Sequence, residues 1–248
     1  METLFLDPFN ILLIAGFIGF FMAFGIGAND VANSMGTSVG SKAITLKQAV
    51  IIAAIFEFLG AFLAGGEVTS TIRKGIVDPN LYTNDVNIFV MGMISALLAG
   101  GTWLFIASLR GWPVSTTHSI VGAIIGFVLI SKGVDAVSWG KVGNIAMSWV
   151  TSPLFSGTLA FGLYISAKKL ILDRANPGKA AITFIPLYSF LVAVVISLVT
   201  ARKGLKHVGI EFSENEIYLF ILIFSIIVAT GTAFFLRRNK DQIMREGG

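Results

Sequence analysis

The sequence contains no cysteine and few charged residues, and each shortage excludes a class of protein. Without cysteine there is no disulfide framework, no thiolate metal site and no cysteine nucleophile. Asp, Glu, Lys and Arg make up only 13% of the 248 residues, against about 25% in a typical soluble domain. The sequence is therefore not that of a soluble globular domain. Its formal net charge of +4 does not indicate a nucleic-acid partner, because the basic residues lie between and after long apolar segments.

Apolar residues replace the missing charge and make up 55% of the chain. They cluster in seven segments of about 20 residues, the length at which an α-helix crosses a hydrocarbon core. These segments are 9–28, 48–65, 88–109, 113–131, 144–167, 181–201 and 217–236. The expected fold is all-α, a polytopic membrane protein. Its transmembrane domain is expected to cover residues 1–236, with a cytoplasmic basic tail or linker at 237–248.

The distribution of Lys and Arg predicts the orientation in the cell membrane. Alternating the segments with the N-terminus outside puts eleven of the 18 Lys and Arg residues on the inner side, and cytoplasmic loops carry an excess of these residues. The N-terminus is therefore expected outside and the tail in the cytoplasm. The pair 88–109 and 113–131 could instead form a re-entrant hairpin. Both arrangements start and end outside, so the number of Lys and Arg residues on each side does not distinguish two crossings from a hairpin.

The first polar interruption begins at Gly25, at the end of the first apolar segment. Gly25 and Gly27 allow the backbone to leave helical geometry, and Asn29 or Asp30 could cap a restarted helix. The sequence therefore predicts a broken helix. The alternative is an ordinary helix end with an interfacial cap and a solvated loop, although no charged residue follows Asp30 until Lys42.

A helix that restarts here would carry oxygen-bearing side chains along one face. Positions i, i+3, i+4 and i+7 share a face, and they are Asp30, Asn33, Ser34 and Thr37. Carboxylate, amide and hydroxyl oxygens suit a hard cation such as Na⁺, and a carboxylate at membrane depth needs a partner. Together with Asn29, these residues are the predicted sodium ligands.

The second polar interruption places a proline and a run of hydroxyl side chains before an apolar segment. Pro113 is expected to end the preceding helix, and Ser115 to cap the next one. The backbone N–H groups of Thr116, Thr117 and His118 would then be unpaired donors at the positive end of a helix, which favours an oxyanion. Transporters place such helix ends near the membrane midplane. The alternative is an ordinary short loop before a capped helix.

A third feature, Glu57, lies near the centre of an apolar segment. An acid at membrane depth is a candidate functional residue, which could carry a proton or ligate a cation. A structural ion pair with Arg73 or Arg110 is the alternative.

Three motifs occur in order over the first half of the chain. They read Gly-Ala-Asn-Asp-Val-Ala-Asn-Ser at 27–34, Phe-Glu-Phe-Leu-Gly-Ala at 56–61 and Pro-Val-Ser-Thr-Thr-His-Ser at 113–119. In this order they resemble the motifs of the inorganic phosphate transporter (PiT) family. The resemblance implies a sodium- or proton-coupled phosphate symporter built from two inverted repeats, each with a helix break and a Ser-Thr-Thr tip. Sodium and phosphate would be transported ligands, and neither a cofactor nor an enzymatic activity is implied.

The resemblance also implies roles for particular residues. Glu57 would support coupling. Phosphate would be bound by Asp30, Asn33, Ser115, Thr116 and Thr117. After residue 120 the chain has no second Asn-Asp pair and no second Ser-Thr-Thr tip, so it resembles the family's N-terminal half and central linker. The implied partner is a second repeat, on the same polypeptide or another chain, and a homodimer is left open.

The leading hypothesis is phosphate uptake coupled to a sodium gradient, because phosphate and Asp30 are both negative and repel unless cations neutralise them. A proton-coupled phosphate or sulfate permease is left open. So is an anion channel, which would not need Asp30 or Glu57. An intramembrane hydrolase would use Ser115 with His118, but no orienting acid lies nearby in the sequence.

Overall fold

The computed structural model describes residues 7–204 and 212–246, and within these ranges the chain forms α-helices with short 3₁₀ and π turns. The helices are α1 (Pro8–Gly40), α2 (Leu46–Gly75), α3 (Val86–Arg110), α4 (Thr116–Lys132), α5 (Trp139–Ala167), α6 (Pro177–Val199), α7 (Glu214–Arg238) and α8 (Lys240–Glu246). Six of the seven predicted apolar segments are helical throughout, and the segment 113–131 is helical from Thr116 onward. The described part of the chain contains six helices long and apolar enough to cross a membrane, and α4, with 17 residues, is shorter. The prediction of an all-α polytopic membrane protein is confirmed.

The predicted break in the first helix is wrong, because α1 runs without interruption for 33 residues, about 50 Å at 1.5 Å per residue. Its N-cap is Asp7, whose side chain accepts a hydrogen bond from the backbone of Phe9, and neither Asn29 nor Asp30 caps a helix. Gly25 serves packing and not bending. A Cβ at Gly25 would lie 3.2 Å from Cβ of Leu104, so its missing side chain lets α3 approach α1.

The chain divides into two units. The first, Met1–Leu59 with Val68–Ile145, is organised around α3, which packs against both α1 and α4. Small residues bring α1 and α3 together: a Cβ at Gly101 would lie 3.1 Å from Cα of Met22, and Leu104 is fully buried beside them. Close packing through small residues is typical of membrane helices.

The contact between α3 and α4 also depends on a glycine. A Cβ at Gly92 would lie 1.9 Å from the ring of Phe127, so no larger residue fits without movement. The Phe127 ring stacks on the buried Tyr82, whose hydroxyl lies 2.6 Å from the hydroxyl of Ser131. Tyr82 belongs to a 3₁₀ turn, Pro79–Tyr82, in the connection between α2 and α3.

The second unit is Gly60–Glu67 with Ala146–Gly248. Here α6 and α7 pack along each other as an antiparallel pair. A salt bridge of 3.1 Å joins Arg202, just after α6, to Glu214 at the start of α7. At the opposite end, α8 lies against the start of α6 at Gly178. A hydrogen bond of 2.7 Å between the hydroxyls of Ser166 and Tyr188 connects α5 to α6.

Candidate functional site

The two polar interruptions meet in the first unit, where the N-terminus of α4 lies beside the middle of α1. The hydroxyl of Thr116 donates a hydrogen bond to the carboxylate of Asp30, with Oγ1 3.2 Å from Oδ2 and 3.4 Å from Oδ1. Both residues are half-buried. Asp30, one end of the predicted sodium stripe, therefore meets the predicted oxyanion tip.

Asn29 holds the turn that leads into α4. Its Nδ2 donates to the backbone carbonyl of Trp112 at 2.9 Å, and its Oδ1 accepts from the backbone N–H of Val114 at 3.3 Å. Oδ1 also accepts from Nδ2 of Asn33 at 3.4 Å. The residue is only 5% exposed. The carboxamide that the sequence analysis placed among the sodium ligands is thus engaged by three protein groups.

The predicted cap of α4 is confirmed, since the Ser115 side chain accepts a hydrogen bond from the backbone N–H of His118 at 3.3 Å. This contact changes the expected donor set, because the His118 N–H is taken by the cap. The first N–H groups of a helix have no intrahelical acceptor, so Thr116 and Thr117 supply the backbone donors suited to an anion. The side chain of Thr117 is exposed.

Pro113 does not itself end the preceding helix. α3 ends at Arg110, and Gly111 follows with φ of +67°, a left-handed conformation that glycine adopts at little cost. The backbone N–H of Trp112 then donates to the carbonyl of Ala107 at 2.8 Å. Pro113 comes two residues later, where it could not continue a helix.

A groove of about 620 Å³ lies among α1, α3 and α4 of the first unit. Thr116 and Thr117 are the polar members of its lining, and the other lining residues are apolar, Met22 and Ile120 among them. The hydroxyl groups of the α4 tip are therefore reached from an open space with mainly apolar walls.

The rest of the predicted stripe stays on the exposed face of α1. Asn33 reaches the site through its bond to Asn29, whereas Ser34 donates to the carbonyl of Val31 within its own helix at 3.3 Å. Within the described residues, no hydrogen bond joins Ser34 or Thr37 to α4. The structure therefore brings Asp30 and Asn33 to the α4 tip, and leaves Ser34 and Thr37 farther along the same helix.

Glu57 lies beside α1, where a Cβ at Gly27 would come within 3.8 Å of its Oε2. Its side chain is exposed, and no described side chain forms a salt bridge with it. The Arg110 guanidinium lies over the ring of Trp112, 5.5 Å from its centroid. The other partner considered, Arg73, has a side chain outside the described part of the chain.

Sequence reasoning missed the contacts of Asn29 with the backbone of Trp112 and Val114. The sequence indicates these contacts only indirectly. The stretch from Gly111 to Ser115 lies between two helices, so its backbone groups need partners from elsewhere, and a buried amide offers both a donor and an acceptor.

Known proteins of similar sequence and structure place these features in a family. Residues 26–244 match the profile of the phosphate transporter family. A protein from Haemophilus influenzae that is named a phosphate permease is 51% identical over 233 residues, covering 94% of this chain and 55% of the relative. The chloroplastic protein of Arabidopsis thaliana named inorganic phosphate transporter 2-1 is 48% identical over 179 residues, covering 72% of this chain and 30% of the relative.

A solved structure gives the same result at the level of fold. It is described as the sodium-dependent phosphate transporter, and it superposes with a TM-score of 0.84 at 40% identity, over 92% of this chain and 56% of that one. The chain thus spans about half the length of the Haemophilus influenzae relative and of the solved structure. These relatives are transporters and not enzymes, and transported ions are cargo and not cofactors. The chain belongs to the phosphate transporter family.

Proposed function

We propose that this chain forms one half of the ion-binding site of a transporter that couples inorganic phosphate uptake to a sodium gradient. The observation that carries the proposal is the 3.2 Å contact between the Thr116 hydroxyl and the Asp30 carboxylate. It places a carboxylate, a hydroxyl and the positive end of a helix at one point. A phosphate dianion is suited to the helix end and the hydroxyl, and a cation is suited to the carboxylate.

The same contact suggests how the two ligands depend on each other. A threonine hydroxyl has one proton to donate, so it cannot donate to Asp30 and to a phosphate oxygen at the same time. When phosphate takes that proton, the Asp30 carboxylate loses a donor and faces a second anion. A cation at Asp30 removes both penalties, and by linkage phosphate then raises the affinity for that cation by the same factor.

In this proposal phosphate contacts Ser115, Thr116 and Thr117 at the α4 tip, with Asp30 and Asn33 facing them from α1. Sodium binds the carboxylate of Asp30 with oxygens from the same helix. Asn33 supplies a further oxygen, Ser34 and Thr37 extend the polar stripe along the same helix, and Asn29 contributes by positioning the turn before α4. Glu57, beside Gly27, adds a second acid near the cation and supports coupling.

We also propose that a second repeat completes the site. The relatives are about twice as long as the matched region, which leaves room in them for a repeat related to this one by a two-fold axis in the membrane plane. It would supply further donors to a phosphate that the α4 tip can contact on one side only. With the N-terminus outside, the end of α7 and α8 lie on the cytoplasmic side, and a homodimer of the complete transporter remains compatible with this arrangement.

The experiment that tests the proposal is uptake of radiolabelled phosphate into proteoliposomes that contain the chain together with its second repeat. An inward sodium gradient should drive accumulation, and an inward proton gradient without sodium should not. The Haemophilus influenzae relative is named a phosphate permease without a coupling ion, so both gradients are tested. Accumulation driven by a proton gradient alone would contradict sodium coupling and would indicate proton coupling at the same residues.

A further inference from the structure

Two basic segments of the second unit lie at the same end of the α6–α7 pair. The connection from α5 to α6 leads directly into the start of α6, and α8 returns to that point after α7 ends. A Cβ at Gly178 would lie 3.0 Å from the carbonyl oxygen of Ile243 and 3.4 Å from Cα of Met244. Residues 168–179 and 237–244 are therefore neighbours in space.

Together these segments carry seven exposed cationic side chains, and we call this set the basic surface. Its members are Lys168, Lys169, Arg174, Lys179, Arg237, Arg238 and Lys240. The same segments hold two exposed carboxylates, Asp173 and Asp241. No member forms a salt bridge with a described side chain. The salt bridge between Arg202 and Glu214 lies at the other end of the α6–α7 pair.

Exposed aromatic side chains adjoin the basic surface on the side of the membrane-length helices. Phe234 and Phe235 are 69% and 65% exposed, and they come less than one helical turn before Arg237. Tyr164 is 60% exposed and lies one turn before Lys168. Aromatic rings next to cations at a helix end match the boundary between acyl chains and headgroups.

Lysine and arginine at such a boundary can extend their charged ends toward lipid phosphates while their alkyl stems stay near the acyl chains. A soluble anion would gain nothing from the neighbouring rings, whereas a phospholipid contacts both parts. Clusters of four to eight Lys or Arg residues next to a membrane helix are also the pattern that attracts anionic lipids.

We propose that the basic surface binds the headgroups of anionic phospholipids, with α8 lying along the headgroup layer. The apolar residues of α8, Ile243 and Met244, are half-buried against the start of α6, which holds Lys240 near the cations of the α5–α6 connection. None of these residues belongs to the proposed phosphate and sodium site, so the proposal of a lipid-binding surface can be tested independently of the proposed transport function.

The test compares spin-labelled phosphatidylglycerol with spin-labelled phosphatidylcholine as they associate with the purified full chain in phosphatidylcholine vesicles. The wild-type chain should prefer phosphatidylglycerol several-fold at low salt, and about 0.5 M NaCl should reduce that preference because salt screens exposed charges. The fourfold variant Lys168→Gln, Lys169→Gln, Arg237→Gln and Arg238→Gln should bind the two lipids almost equally.

Two lysines outside the basic surface provide the matched control. Lys42→Gln with Lys47→Gln removes charge from the α1–α2 connection and from the first turn of α2, which the sequence assigns to the same side of the membrane, and should leave the preference unchanged. If the fourfold variant does not fold, the pair Lys168→Gln and Lys169→Gln serves instead, because both side chains are exposed in the π-helical turn that follows α5. This pair should lower the preference part of the way.

Three results would overturn the proposal. One is equal association of the two lipids with the wild-type chain. Another is an equal loss of preference in the control and in the basic-surface variant, because the lipid preference would then depend on the total charge of the chain and not on the basic surface. The third is full competition by the free headgroup, glycerophosphoglycerol, in the same concentration range as the lipid, because that would indicate a soluble-anion site in place of a membrane surface.

Discussion

The hydroxyl of Thr116 lies 3.2 Å from Oδ2 of Asp30, and this hydrogen bond joins residues 86 positions apart in the sequence. It connects the start of α4 to the side of α1, at the place where both helices present polar groups. The bond gives the Asp30 carboxylate a donor from another helix. In the proposed function, phosphate at the α4 tip competes for that donor.

Replacing Thr116 should therefore weaken phosphate binding. Thr116→Val keeps the shape but removes the hydroxyl, and we expect the binding free energy of phosphate to fall by about 1–3 kcal/mol, the usual result of leaving a polar partner unpaired. Thr116→Ser retains the donor and should restore most of the affinity. Phosphate affinity is read from the concentration dependence of uptake, and equal values for the Val and Ser variants would contradict the role of the hydroxyl.

The Asp30 carboxylate should carry the sodium dependence. Asp30→Asn is nearly isosteric but removes the charge, so the dependence of phosphate binding on sodium concentration should be lost or strongly reduced. Asn33→Ala, at an exposed neutral neighbour, is the control and should keep a sodium dependence of the same form with lower affinity. A wild-type sodium dependence in Asp30→Asn would show that this carboxylate is not the coupling ligand.

The sequence predicted the start of α4 correctly but not the course of α1. The Pro113 and Ser115 pattern predicted a capped helix start, and Ser115 is the cap of α4. Gly25 was wrongly interpreted as a point of flexibility. Glycine in a membrane helix serves either a bend or a close helix contact, and only the position of α3 beside α1 distinguishes the two uses.

The contacts of Asn29 could not be predicted for a related reason. Its partners are the carbonyl of Trp112 and the N–H of Val114, and every residue except proline carries the same two backbone groups. No side-chain pattern therefore marks these positions. The meeting of α1 with the α3–α4 turn depends on the packing of α1, α3 and α4, which is set by many weak contacts at once.

Asn29 should be more important for stability than its neighbour Asn33. Asn29→Ala leaves the carbonyl of Trp112 and the N–H of Val114 without their partner in a partly buried place, and each such loss destabilises by up to about 1–3 kcal/mol. Asn33→Ala removes an exposed side chain and should change the unfolding temperature much less. Thermal unfolding of the two variants in detergent, followed by tryptophan fluorescence, checks the difference. Equal unfolding temperatures would contradict the positioning role.

Gly92 should tolerate no larger residue while Phe127 is present. Gly92→Ala places a Cβ 1.9 Å from the Phe127 ring, and overpacking of this kind costs about 1–3 kcal/mol. Phe127→Leu in the same chain should recover part of the loss, because the smaller side chain makes room. Gly122→Ala is the matched control, since nothing lies within 4 Å of its Cβ position. Destabilisation by Gly122→Ala as large as by Gly92→Ala would show that the ring contact is not the cause.

The absence of cysteine makes the membrane orientation directly measurable. A single cysteine can be introduced without removing any native thiol, and a membrane-impermeant maleimide then labels only those that face the outside of intact cells. Asn80→Cys, in the connection between α2 and α3, should be labelled. Arg174→Cys, between α5 and α6, should be labelled only after the membrane is permeabilised. Both residues are exposed, so burial would not explain a difference between them.

A third cysteine tests whether the connections between helices continue to alternate between the two sides of the membrane as far as α7. Asn239→Cys, directly after α7, should behave like Arg174→Cys, because the positive-inside bias assigns both to the cytoplasm. Labelling of Arg174→Cys and Asn239→Cys in intact cells, with Asn80→Cys protected, would reverse the orientation and leave the number of spans unchanged. Opposite behaviour of Arg174→Cys and Asn239→Cys would instead mean that α6 and α7 do not both cross the membrane, since two crossings return the chain to the side from which it started.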